Sequence, residues 1–194
     1  MNTAKTLRLR RLALLLLMPL FAACTGPHLD EYRDGTPELT PMEFFQGRLS
    51  ARGVVKNRSG EVIRRFDATI DASWDNDGVG TLDEVFHYND GETETRVWTL
   101  EPRDGGYHAT AGDVIEPGFM ESAGNTIHMN YVLEVPYGDD TINVRMDDWM
   151  YAVTPDTVIN ETRMTKWGIH VGEVVLVIQK EPGTQSAARW GRAL

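Results

Sequence analysis

From Phe45 to Lys180 the chain alternates with a period of two. Val62, Arg64, Phe66, Ala68, Ile70, Ala72 and Trp74 fall on one side, and Ile63, Arg65, Asp67, Thr69, Asp71 and Ser73 on the other. Successive side chains of a strand point to opposite faces, so this is the pattern of a sheet with one dry and one wet side. Turn-forming clusters punctuate it at Asn57–Gly60, Asp75–Gly78, Asn89–Gly91, Arg103–Gly106, Tyr137–Asp140 and Thr154–Asp156. Asn, Asp and Gly tolerate the positive backbone dihedrals of tight hairpins. About nine or ten strands follow from this spacing. Val174 to Ile178 is apolar on both faces, which predicts a strand buried on both sides.

Helical patterning is almost absent. A long meander of hairpins would expose two edges to aggregation, and closing the sheet on itself removes them. The fold class expected is therefore all-β, an up-and-down antiparallel meander closing into a lipocalin-like barrel. A flattened sandwich or an open half-barrel is the alternative. At this strand number a barrel is either filled by side chains or holds one small ligand.

The flanks carry a different pattern. Residues 1–23 set a basic stretch (Lys5, Arg8, Arg10, Arg11) before the apolar run Leu12–Ala23, the layout of a secretory signal peptide. The apolar run is too short to span a bilayer. Small residues at 22 and 23 precede Cys24, the only cysteine of the chain, and the segment resembles a bacterial lipoprotein box despite Phe21 in place of the usual Leu or Val. Cys24 is the expected lipidation site. Thr25 follows it where an Asp would resemble the inner-membrane retention signal, so the expected location is the outer membrane, periplasmic face, with the membrane as partner through N-terminal acyl groups. Residues 24–41 then read as the lipidated cysteine and a Pro/Gly-rich spacer, 42–181 as the barrel domain and 182–194 as a flexible tail.

Charge narrows the partners. Twenty-nine Asp and Glu stand against 19 Lys and Arg, a formal net charge of −10, and four of the bases lie in the signal segment, so the remainder is more acidic still. Such a body has no electrostatic footprint for nucleic acid. A single cysteine excludes a disulfide framework and a Cys-rich zinc site.

Three blocks, GTLDEVFHYNDGETETRVWTL (80–100), DDWMY (147–151) and INETRMTKWGIHVGEVVLVI (159–178), resemble an uncharacterised family of proteobacterial lipoproteins, domain-of-unknown-function family thirty-eight thirty-three. The resemblance covers most of Phe44 to Lys180. It implies an envelope lipoprotein, and because the genes of members often neighbour cyclopropane-fatty-acid-synthase-like methyltransferases, it hints at lipid handling. It assigns chemistry to no residue.

Candidate ligand-binding residues come from register. A three-residue loop at Asn89-Asp90-Gly91 sets Tyr88 opposite Glu92, Glu84 opposite Arg96 and Leu82 opposite Trp98, gathering Glu84, Phe86, Arg96 and Trp98 on one face. A Glu–Arg pair among aromatics inside a barrel is suited to a ligand's carboxylate or headgroup; alternatively it is an ion pair that only fixes register. The strand 141–151 places Arg145, Asp147 and Trp149 together, and the next offers Asn160 and Lys166; these mixed faces read equally as a polar-lined cavity or as a solvent face capped by Trp. Residues 73–84 partly match a calcium loop, but Ser73 and Gly80 depart from it and a hairpin turn is favoured. The five histidines show no metal-ligand spacing, no nucleophile elbow or phosphate loop occurs, and no cofactor is expected.

The function expected is a lipid-anchored barrel that binds or transfers a hydrophobic ligand, a fatty acyl or phospholipid derivative. The alternatives are a scaffold for an envelope protein partner, such as a membrane lipid-modifying enzyme, and an enzyme using Glu84, Asp147 or His87 as acid or base.

Overall fold

The computed structural model describes residues 26–138 and 140–182. The signal segment, Cys24 and all but the first residue of the expected tail lie outside the described residues.

Ten antiparallel strands follow one another: β1 (Gly47–Asn57), β2 (Val62–Trp74), β3 (Gly80–Tyr88), β4 (Thr93–Arg103), β5 (Gly106–Thr110), β6 (Val114–Ala123), β7 (Thr126–Tyr137), β8 (Asp140–Thr154), β9 (Thr157–Lys166) and β10 (Ile169–Lys180). Each pairs with its sequence neighbour, and β1 pairs with β10 from Leu49↔Lys180 to Asn57↔Gly172, so the sheet closes into a barrel. The period-two pattern is what makes closure favourable. One face of most strands is largely apolar, and curling the sheet buries those faces at once while leaving no unpaired edge. Leu49, Ile70, Leu82, Leu100, Met129, Met150, Val158 and Ile178 form that inner lining.

The hairpins alternate between two ends. At one end the chain enters through a short helix, α1 (Pro41–Phe44), with proline at its first turn. Leu39, Phe44 and Phe45 are buried there, and the Trp74 indole donates to the Phe45 carbonyl at 2.6 Å, so this end is plugged. The other end, formed by the loops at 57–62, 89–92, 111–113 and 167–168, is open.

Two expectations need correction. The outer face of β10 is not buried: Val177 is 38% exposed and Val175 half-buried, because both point away from a single closed sheet over which none of the described residues packs in that sector. The segment read as a spacer is laid against the barrel from the 3-10 turn Leu29–Tyr32 onward, where Leu39 N–H donates to the Gly124 carbonyl at 2.8 Å and Tyr32 meets Trp149 and Tyr151 at tilted angles. Its anchors are too widely spaced to show as periodicity.

Candidate functional site

The β3–β4 hairpin sets the register of the site. Tyr88 N–H donates to the Glu92 carbonyl (2.9 Å) and Gly91 N–H to the Tyr88 carbonyl (3.0 Å), closing a three-residue loop. Gly91 takes φ of 90°, which its missing Cβ permits. Glu84 then faces Arg96 and Leu82 faces Trp98, as the loop length requires. All four side chains turn inward.

They line a cavity of about 640 Å³ that opens at the unplugged end, within the roughly 300–1,000 Å³ usual for small-molecule sites. Its walls are mostly apolar and aromatic. Ile70, Leu82, Leu100 and Met150 lie toward the plug, and Phe66, Phe86, Leu133 and Val174 toward the mouth. Phe66 and Phe86 meet edge-on with centroids 5.7 Å apart, and Trp98 meets Tyr131 at 5.2 Å.

Between the two apolar zones lies a polar layer: Glu84, Arg96, Tyr131, Asp148, Asn160 and Thr162. Burial raises the Glu84 carboxyl to about 7, with the Arg96 charge and the Trp98 indole offsetting part of that cost. Asp148 is only 4% exposed. Burial also lifts its carboxyl above the usual range, against the opposing hydrogen bonds from the Thr162 hydroxyl (2.7 Å) and the Asn160 amide. The Tyr131 phenol is held well above its ordinary value, first by burial and then by the negative field of Asp148.

The expected ion pair between Glu84 and Arg96 does not form. Arg96 instead grips Asp113 with both arms of its fork, Nε to Oδ1 at 3.0 Å and Nη2 to Oδ2 at 2.8 Å. Asp113 lies in the β5–β6 loop at the mouth, within reach of the outward-leaning guanidinium. Burial is the largest influence on Arg96 and would depress its ionisation, but the Asp113 hydrogen bonds together with the negative fields of Tyr131, Glu84 and Asp113 outweigh it and hold the guanidinium firmly charged. Nearer the rim, Arg64 lies 2.8 Å from Asp90, 2.8 Å from Glu92 and 3.4 Å from Glu94, and 3.5 Å over the Tyr88 ring. The Tyr88 hydroxyl donates to Glu94 at 3.1 Å. Burial and that carboxylate push its own ionisation up to about 12.

Asn160 joins the lining, but Arg145, Asp147, Trp149 and Lys166 do not. On β8 the inward positions are Val144, Met146, Asp148 and Met150, so Arg145, Asp147 and Trp149 stand on the outer wall by parity. Arg145 reaches Asn130 (2.8 Å) and Glu116 (2.6 Å). Asp147 pairs with His128 at 2.7 Å, and Trp149 stacks on His128 at 4.1 Å under the cover of Tyr32. Of the two readings of this face, the capped outer wall is the one the structure shows. Lys166 ends β9 with Nζ 4.8 Å over Trp167, beside an outer hollow of about 590 Å³ shared with Val132, Asn143 and Arg145. His87 points outward to Thr93, so Glu84, Asp147 and His87 do not converge.

The sequence reading missed Arg64, Asp113, Tyr131 and Asp148, while Thr162, read beside Asn160 on the same strand face, does join the lining. One signal was present for Asp148: it interrupts the apolar alternation Ile142, Val144, Met146, Met150 on the inward face. At the partial calcium loop, the Asp75 carboxylate accepts from the N–H groups of Asp77 (2.9 Å) and Val79 (2.8 Å), so it caps a turn, while Glu84 belongs to the interior. Among the described residues no group of three or more His, Cys, Asp or Glu is arranged to hold a metal ion.

The closed antiparallel meander is lipocalin-like in its own architecture, and solved structures share the fold. A protein of unknown function from the DUF3598 family of Nostoc punctiforme superposes with a TM-score of 0.55 at 14% identity, over 75% of this chain and 50% of that one. An S-type phycobiliprotein lyase from Guillardia theta gives 0.49 at 13% identity, over 80% of this chain and 98% of that one. The chain thus spans half the length of the first of these. No curated protein matches. The family model described as "Protein of unknown function (DUF3833)" matches residues 18–180, and the chain belongs to that family.

Proposed function

We propose that this protein is a lipid-anchored carrier of the bacterial envelope that binds a hydrophobic molecule, a fatty acyl or phospholipid derivative, in its barrel. The observation that carries the reading is the cavity of about 640 Å³, open at one end, plugged at the other and walled by Phe66, Phe86, Trp98 and aliphatic side chains. A barrel built only for stability would fill that space, since each void forfeits packing and transfer energy.

The signal-like segment and Cys24 support attachment to the outer membrane facing the periplasm. Acyl chains contribute about 0.8 kcal/mol per buried methylene. A tether also holds the cavity mouth at high effective concentration near its lipid source. A scaffold role for a membrane enzyme is the second reading, favoured by the exposed outer side chains Val153, Ile159 and Val177.

Incubation of the purified barrel with mixed phospholipid vesicles, followed by native mass spectrometry, tests the carrier reading. One lipid or fatty acyl molecule retained per chain is the expected result. Gly53→Leu, which intrudes between Leu176 and Phe66, should reduce retention. A folded barrel that never retains lipid overturns the carrier and leaves the scaffold.

A further inference from the structure

The polar groups of the cavity have a sign. Seven carboxyl groups line it and its mouth, against two guanidiniums. Both guanidiniums are already engaged, Arg96 by Asp113 and Arg64 by Asp90, Glu92 and Glu94. An incoming carboxylate or phosphate would have to displace one of these partners and then sit beside the rest. A donor group meets the opposite situation. Glu84 on β3 and Asp148 on β8 are acceptors on facing walls of the middle layer, with the Asp148 charge adding to the cost of ionising Glu84, and more carboxylates wait at the rim.

We infer that the cavity selects an amphiphile whose polar end is a primary amine, seated at the Glu84–Asp148 layer, and discriminates against the same chain ending in a carboxylate. The inference rests on the carrier reading and refines it. An ammonium brings three donors and one positive charge into a layer that holds acceptors in excess. Its alkyl chain follows the apolar wall, either toward the plug past Leu82 and Leu100 or toward the mouth past Phe66 and Phe86. Burying the charge is tolerated because it is paired, whereas an anion there would be buried among like charges. The elevated Glu84 carboxyl agrees with this, since it marks a cost that a bound cation relieves.

The test is a binding titration with dodecylamine, dodecanol and dodecanoate, read by tryptophan fluorescence, to which the cavity-lining Trp98 contributes, and by displacement of a polarity-sensitive dye from the full barrel. Dodecylamine should bind at least tenfold more tightly than dodecanoate, with dodecanol between them. The preference should persist in 0.5 M salt, which screens attachment to the acidic exterior but not a buried pair. In Glu84→Gln and Asp148→Asn, near-isosteric changes whose folding is checked by circular dichroism, the amine-to-alcohol ratio should fall several-fold.

A second pair of probes, lysophosphatidylethanolamine and lysophosphatidylglycerol of equal chain length, distinguishes the source of the amine. Preference for the ethanolamine form marks a lipid headgroup, and preference confined to dodecylamine marks a simple long-chain amine. Dodecanoate binding as tightly as dodecylamine overturns this inference and leaves the carrier intact. Failure of all three twelve-carbon probes overturns both. An amine preference that vanishes in salt or survives both substitutions assigns the amine to the surface and overturns the inference alone.

Discussion

The two ends of the barrel are built from opposite materials. At the plugged end, Leu39, Phe44 and Phe45 fill the opening, the Phe45 carbonyl accepts from Trp74, and Lys180 Nζ donates to the Glu43 carbonyl at 2.9 Å. At the open end, Arg64 is ringed by three carboxylates, Asp113 is spent on Arg96, and the tip of β9–β10 carries Trp167, 89% exposed. Apolar burial is worth about 25 cal/mol per Å² and does not fade in salt. Exposed and half-exposed ion pairs are worth little and are screened. The plugged end therefore holds the fold, while the mouth keeps access at small cost in stability.

The sharpest way to break this comparison is at the plug. Phe45→Ala, at a site 2% exposed, should cost about 3–5 kcal/mol by denaturant unfolding. A loss below about 1 kcal/mol would mean that the plug is ornamental. Next in size is the pH dependence of the middle layer. Glu84 is raised from 4.5 to about 7, so the native state holds its proton more tightly than the unfolded chain does. Its contribution is complete below about pH 4.5 and lost as pH rises through 7, a swing on the order of 3 kcal/mol. Asp148, also raised, acts in the same direction. Unfolding curves at pH 5 and pH 8.5 should show this loss in the wild type and a much smaller one in Glu84→Gln; equal slopes would refute it.

Between the ends, Gly53→Ala would bring a Cβ to 2.6 Å from the Leu176 Cβ and 2.8 Å from the Val175 carbonyl. Overpacking there should cost about 1–3 kcal/mol, read as a lower midpoint with an unchanged denaturant slope. The smallest effect belongs to the mouth. Trp167 occupies a two-residue turn with φ of 52°, and Gly168 follows at 76°. An Asn accepts this conformation far more readily than a Trp. Trp167→Asn should raise stability by about 1 kcal/mol, and a thermal scan showing a clear loss would mean that the indole makes contacts that hold the mouth.

How much of this could be read from the chain alone follows from what each feature depends on. The barrel was legible because alternation and turn chemistry are local, and because a meander with uncovered edges has few stable solutions. The Glu84–Arg96 register was legible because one turn decides it. The partner of Arg96 was not: Asp113 sits 17 positions away in a loop whose sequence, Gly112-Asp113, says nothing of where it folds. Arg145, Asp147 and Trp149 were placed correctly on a shared face, but alternation alone does not say which face is inside. The inward choice falls to Val144, Met146, Asp148 and Met150, whose three apolar members outweigh one carboxyl.

The seam between β1 and β10 joins Leu49 to Lys180. No earlier pairing can finish the ring, so every partial chain shorter than this carries two raw strand margins, and its acidic and oily linings lie open to the surroundings. Closure of so distant a pair is entropically slow. The protein consequently acquires an inside only when its final strand arrives, and a truncation within 169–180 should yield sticky fragments in place of a smaller vessel.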